Sequence, residues 1–369
     1  MEQKITGRLD SIDALRGFDM FFITGGAALI RSLAKVWPTE FMQGAAGQMT
    51  HMAWNGFAFY DMIFPLFLFI TGISFPFSCR KNRANNLTDG HIVGKIVVRT
   101  LKLIALGLVF NGFLRLDFGT MRYVSVLGRI GIAWGIAAII YVNSSRRAIK
   151  WYVTAILVVY GLLNLFMVAP DAPTGTSPLS IEGSIVGYID RMWLPGRLLD
   201  GNFDPMGILS TLPAVATALL GMVAGEVVGD ERRSPQKRAV SLVIGGVGLT
   251  VVGLLIGLII PINKPLWSSS YVCFTAGLSA LMFALFYWLI DIKGYKRWSL
   301  YFRVIGLNSI TIYMVQKVVD IGKTRDFLFG GIAGLFTAQW ANVVLAVGYL
   351  AVCYMFLKFL YRKKIFLKV

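Results

Sequence analysis

Histidine is nearly missing from this sequence: there are two among 369 residues, His51 and His91. Cysteine is scarce too, with Cys79, Cys273 and Cys353 lying in or beside apolar segments. Three residues scattered in this way give neither a disulfide framework nor a metal set of ordinary spacing. Charged residues make up 15% of the chain, against roughly 25% in an ordinary soluble domain. No glycine-rich phosphate loop ending in Lys-Ser or Lys-Thr occurs, and no dinucleotide fingerprint follows a strand pattern. These absences exclude a P-loop enzyme, a Rossmann-type dehydrogenase, a cysteine–histidine metal centre and a disulfide-stapled secreted scaffold.

What is present is apolar. Hydrophobic residues are 56% of the chain, more than one core of this size can bury, and they come in long blocks. That pattern gives an all-α, polytopic integral membrane helical bundle. Ten blocks approach the ~20 residues a helix needs to cross a bilayer. They are residues 13–35, 59–79, 95–113, 124–142, 151–169, 206–228, 240–261, 269–290, 303–320 and 340–361. The stretch 327–338 is too short and is expected as a re-entrant or interfacial helix. Residues 1–369 read as a single transmembrane domain, and the N-terminal stretch MEQKITGRLDSID has no secretory-signal core, so the first helix is expected in the mature protein.

The net charge of +17 would direct a soluble protein toward nucleic acid. Here Lys and Arg gather in alternate loops, as cytoplasmic loops do, so lipid and not nucleic acid is the expected partner. The clusters are Arg80, Lys81, Arg83; Arg146, Arg147, Lys150; Arg232, Arg233, Lys237, Arg238; Lys293, Lys296, Arg297; and Arg362, Lys363, Lys364, Lys368. With Lys4 and Arg8 on the same side, both termini are cytoplasmic, His51 lies outside and His91 inside. The longest outer loop, about 170–205, is rich in Pro, Gly, Asp and Ser and reads as an ordered cap. Lipid-facing Gly and Ala allow two copies of the chain to pack closely, so a homodimer is within reach.

Ionisable groups inside a bilayer are costly and mark sites or structural pairs. Asp13, Arg16 and Asp19 share one face of the first helix, as an ion-pair cluster or as part of a site. Ser309, Tyr313, Gln316 and Asp320 form a polar stripe on the ninth helix beside Asn308, which serves as interhelical glue or as a substrate path. Arg129, with Arg115 and Arg122, places positive charge near the outer mouth, for an anion or for headgroups. His51 is the one group at an outer helix mouth able to exchange a proton near neutral pH. Asp61 can orient it or complement the helix dipole, and Trp54 can be an interfacial anchor.

In chain order, "RLDSIDALRGFDM", "HMAWNGFAFYDMIFPLFLFITGIS", "VLGRIGIAWG", "GYIDRMWL", "DPMGILSTLPAV", "INKPLWSSSYV" and "GLNSITIYM" together resemble the heparan-α-glucosaminide N-acetyltransferase family, within the transmembrane acyltransferases. The likeness runs nearly end to end. It implies a membrane enzyme that takes acetyl from cytoplasmic acetyl-CoA and delivers it to a glucosamine-type amino sugar on the far side, without a metal. The H-x-x-W-N-G motif falls on His51, Trp54, Asn55 and Gly56 and makes His51 the catalytic residue, either as general base for the attacking amine or as a transient acetyl carrier. Asp61 becomes its orienter and Asn55 an oxyanion donor. Arg16, Arg129, Asn308, Ser309 and Tyr313 become candidates for the CoA side, and Trp54, Asp204 and Trp267 for the acceptor. Relatives often carry an Asn near the outer end of the first helix; here "FFITGGAAL" has Thr24 instead. The animal enzyme's soluble N-terminal domain has no counterpart here, so a bacterial inner-membrane relative is expected. The rival reading is an amino-sugar or oligosaccharide permease, favoured by the polar stripe and disfavoured by the lack of an internal repeat.

Overall fold

The computed structural model of the chain describes residues 9–367; Lys4, Arg8 and Lys368, used above as topology markers, lie outside them. The architecture is all-helical, and among the described residues β-structure amounts to three isolated bridge pairs. The helices are α1 Asp10–Phe21, α2 Ala27–Val36, α3 Glu40–Gly47, α4 Ile63–Ala84, α5 Asp89–Phe110, α6 Val126–Asn143, α7 Arg146–Phe166 and α8 Ile185–Trp193. They continue with α9 Thr211–Val228, α10 Pro235–Gly257, α11 Ser269–Phe286, α12 Leu300–Leu307, α13 Ser309–Val318, α14 Ile321–Ala333 and α15 Ala338–Arg362. Many start at a hydroxyl the sequence supplies. Thr88, Ser125, Ser145 and Ser234 each accept a first-turn backbone N–H, at α5, α6, α7 and α10, a bond that satisfies an otherwise orphaned donor.

Eight helical stretches are long and apolar enough to cross a membrane, by length and composition. They correspond to eight of the ten blocks read from sequence; the third and ninth differ. Helix α5 has 22 residues, but Lys95, Arg99 and Lys102 interrupt its apolarity. The ninth block is two helices, because the chain breaks at Asn308 (φ −121°, ψ 27°). An asparagine side chain competes with the helical hydrogen bonds, and the apolar residues on either side conceal the break. Asp320 accordingly leaves the expected stripe and caps α14, accepting from the Lys323 N–H at 3.2 Å. Helix α14 itself is a short segment of 13 residues that begins earlier than expected.

The chain forms two compact units. One gathers the described residues up to Met52, Ala58–Phe67, and those from Leu285 onward. In it α1 and α12 touch backbone to backbone. A Cβ on Gly17 would fall 1.7 Å from the Phe302 carbonyl oxygen, and one on Gly306 would fall 1.9 Å from that of Asp13. No larger residue fits at either place. Helix α1 passes through a π turn, Phe22–Gly26, into α2, with Gly25 at φ 139°, a conformation open to glycine. The end of α1 is tied by ion pairs from Asp10 to Lys296 at 3.1 Å and to Arg303 at 2.7 Å. Cys353 is buried in this unit, and Cys79 and Cys273 are buried in the other; all three are free thiols.

The second unit gathers Ala53–Phe57 and Leu68–Ala284. Its cap begins where the Ala169 N–H donates to the Gly183 carbonyl at 2.9 Å, and it carries α8. Tyr160, Ile185, Val186 and Leu266 form a buried apolar cluster beneath it. Within the cap Gly207 is obligatory in size, since a Cβ there would meet the Asp190 carboxylate at 2.1 Å.

Candidate functional site

Gln48 folds the loop after α3 back on itself. Its side-chain oxygen accepts from the Phe59 N–H at 2.8 Å, and its carbonyl accepts from the Tyr60 N–H at 2.9 Å. Arg31 on α2 donates to the Met49 carbonyl at 2.6 Å. These bonds bring His51 onto the one-turn helix Phe59–Met62 that leads into α4.

There His51 Nδ1 lies 2.7 Å from Asp61 Oδ1. The carboxylate is fully buried, while the imidazole is 52% exposed. The other carboxylate oxygen accepts the N–H of Met52 at 3.3 Å and of Ala58 at 3.1 Å. A carboxylate held by two backbone donors accepts from the imidazole, which places the ring proton on Nδ1 and the lone pair on Nε2. The Tyr60 ring lies 4.7 Å from the imidazole, centroid to centroid, and limits its swing. Asp61 thus sits in the first turn of this helix, the place read for a dipole-complementing acid, and the same side chain holds the histidine. Gln48 and Tyr60 were missed from sequence, because only the closed loop brings them to the histidine.

Other residues of the same unit have varied surroundings. Arg16 Nη1 lies 3.7 Å from Asp13 Oδ1, in the ion-pair arrangement read from their spacing. Asp19 on the same helix is 1% exposed, and neither carboxylate oxygen has a hydrogen-bond partner among the described residues. Asn308, also buried, leaves both side-chain polar atoms without a partner there. Ser309 is buried and Tyr313 partly so. Gln316 donates to the Tyr349 hydroxyl at 3.1 Å.

In the second unit Asn55 Oδ1 accepts from Asn263 Nδ2 at 3.0 Å, so Nδ2 is the end of Asn55 that can donate. The Trp54 indole N–H donates to the Leu179 carbonyl of the cap at 2.8 Å. Trp54 and Asn55 line an open groove of about 620 Å³ with Ser177, Ser180, Glu182 and Pro261. An aromatic face among hydroxyls, an amide and a carboxylate is the chemistry that holds a small polar ligand. Sequence reading named Trp54 and Asn55 but missed Glu182 and the serines, which only the folded cap brings to them.

Arg129, Trp267 and Asp204 belong to the interior of this unit. The Arg129 guanidinium lies 4.3 Å over the Trp267 ring and donates to the carbonyls of Pro205 and Ser210. Asp204 is fully buried. It accepts two bonds from Arg122, at 2.7 and 2.5 Å, and the N–H groups of Leu199 and Met206 at 3.1 and 2.8 Å. Of the positive charge read at the outer mouth, Arg122 and Arg129 are therefore bound up in protein, while Arg115 is exposed. Asp190 in α8 accepts the N–H of Asp204 at 3.2 Å and of Ile208 at 3.0 Å, and burial pushes its carboxyl up to about 6.

A polytopic helical bundle with one half-exposed histidine, fixed by a buried carboxylate, defines a class: membrane proteins able to move protons or acyl groups. Residues 8–253 match the model for heparan-alpha-glucosaminide N-acetyltransferase, catalytic region, and the chain belongs to that family. It is 26% identical to the human heparan-alpha-glucosaminide N-acetyltransferase over 434 aligned residues, which cover 98% of this chain and 60% of the human protein. The mouse protein of the same name is 26% identical over 386 residues, covering 86% of this chain and 56% of its own length. The chain thus spans somewhat over half the length of these relatives.

Proposed function

We propose that the protein transfers an acetyl group from acetyl-CoA to the amine of a glucosamine-type sugar. One observation carries the chemistry: Asp61 holds Nδ1 of a half-exposed His51 at 2.7 Å, which makes Nε2 the nitrogen to act as base. The amine nitrogen attacks the thioester carbonyl, and His51 Nε2 takes the proton the amine loses. The new C–N bond forms as the C–S bond breaks, and the imidazolium returns that proton to the departing thiolate, giving CoA-SH. Asp61 stabilises the imidazolium between these steps; the role of oxyanion donor comes to Asn55 from the motif alone. The groove beside Trp54 suits the acceptor sugar. Arg16, Asn308, Ser309 and Tyr313 are the candidates for the CoA arm; Arg129 and Trp267 act from the interior. The alternation of basic loops supports a cytoplasmic donor and an outer acceptor, as in a bacterial inner membrane.

Purified protein in liposomes, given labelled acetyl-CoA and glucosamine, tests this directly. Wild type is expected to yield labelled N-acetylglucosamine, and His51→Ala to lose about 10²–10⁴-fold of that rate. Full activity in the mutant removes His51 from the chemistry. Binding of the sugar without any acetylation by wild type replaces the acyltransferase with the permease.

A further inference from the structure

A different feature lies on α5 and is independent of the reading above. His91, Lys95, Arg99 and Lys102 follow one another at four, four and three residues, so they share one face of the helix. They line a groove of about 880 Å³ together with Thr88 and Ser78. No carboxylate lines it. The only acid of α5, Asp89, is engaged by Arg83 at 3.0 Å. Gly90 and Gly94 leave the groove floor open, since a Cβ at Gly94 would meet nothing within 4 Å. Two of the basic groups are already positioned, Lys95 on the Asn82 side-chain oxygen at 3.1 Å and Arg99 over the Trp134 ring at 4.3 Å.

Cations at that place need an anion. From Asp89 to Lys102 the helix rises about 20 Å, so the last lysine is carried well into the apolar part of a helix long enough to cross the bilayer. Charge there is costly unless it is paired or reaches an interface. Beside the stripe, Val97, Val98 and Leu101 are exposed at 43%, 53% and 58%, a strip suited to acyl chains. A dissolved phosphate or nucleotide would have to leave water to reach Lys102, whereas a phospholipid brings its phosphate there along with its chains. We propose that this groove is a binding site for the phosphate headgroup of an anionic phospholipid, with its acyl chains lying along Val97, Val98 and Leu101.

The test is lipid retention measured by native mass spectrometry, on full-length protein taken from nanodiscs containing phosphatidylglycerol and phosphatidylcholine. Wild type is expected to retain phosphatidylglycerol selectively. Removing two cations in Lys95→Gln/Lys102→Gln is expected to lower retention about 30-fold. Lys95→Arg/Lys102→Arg is expected to restore it, which separates lost charge from a damaged fold. Arg232→Gln/Lys237→Gln removes the same charge around the start of α10, away from the groove lining, and is expected to change nothing. Equal retention by the glutamine variant, equal retention of phosphatidylcholine, or displacement of the lipid by free CoA would each overturn the proposal, the last by making the groove a nucleotide site.

Discussion

The His51–Asp61 pair of one unit and the Arg122–Asp204 pair of the other are built on the same local device. In each, a fully buried carboxylate accepts two backbone N–H groups and a nitrogen-bearing side chain. The partners differ. Arginine never gives up its proton, and its guanidinium is 20% exposed beside Asp204, whereas the imidazole is 52% exposed and carries one ring nitrogen that can accept a proton. The Arg122–Asp204 arrangement fixes the cap and can do nothing else. The His51–Asp61 arrangement closes a loop equally well and adds a group that can exchange a proton with whatever reaches it. Asp190 is a third version, with two backbone donors and no ion pair among the described residues. The carboxylate and its backbone donors therefore serve structure in all three places, and only the third partner decides whether chemistry follows.

Substitutions that remove one element at a time test that comparison. The largest effect is expected from Asp204→Ala, which leaves Arg122 without its carboxylate and two N–H groups without an acceptor. A loss of about 3–5 kcal/mol is expected, seen as a large fall in melting temperature with any activity lost along with the fold. Asp61→Asn should separate the two functions of its device. The single amide oxygen stays with the Met52 and Ala58 N–H groups and turns the NH₂ toward His51 Nδ1. The imidazole then carries its proton on Nε2 and has no lone pair to offer. The rate is expected to fall about 10³-fold or more while the melting temperature moves little. A melting loss as large as that of Asp204→Ala would show the two pairs to be equally structural.

The smallest effect is a pH dependence at Asp190. Its folded carboxyl is raised by burial to about 6, from 3.8 in an unfolded chain. A raised acid contributes stability that is fully present below about 4 and is lost as pH rises through about 6, for a total near 2–3 kcal/mol. Wild type is therefore expected to lose melting temperature across that window relative to Asp190→Asn. A constant difference between the two proteins would show that Asp190 does not titrate there.

Run length alone made most of the helices legible, because a bilayer demands long apolar blocks. Where a block carried its own contradiction, it was harder to read. The cations of α5 lowered the apolarity of a full-length helix, and at Asn308 a single polar residue breaks a block that stays apolar on both sides. His51 and Asp61 were readable because they lie close in sequence within one motif. What holds Arg129 was not readable, because its partners, the carbonyls of Pro205 and Ser210, come from a distant segment that nothing local announces. The serines and Glu182 of the Trp54 groove were hidden for the same reason.

The burial of all three native thiols has a practical use. Met52 is 41% exposed, and it serves Asp61 through its backbone N–H alone, so a cysteine placed there keeps that bond. It would be the one accessible thiol among the described residues, immediately beside His51. A membrane-impermeant maleimide applied to intact cells would then read directly which side of the membrane the histidine faces, against a silent wild-type background.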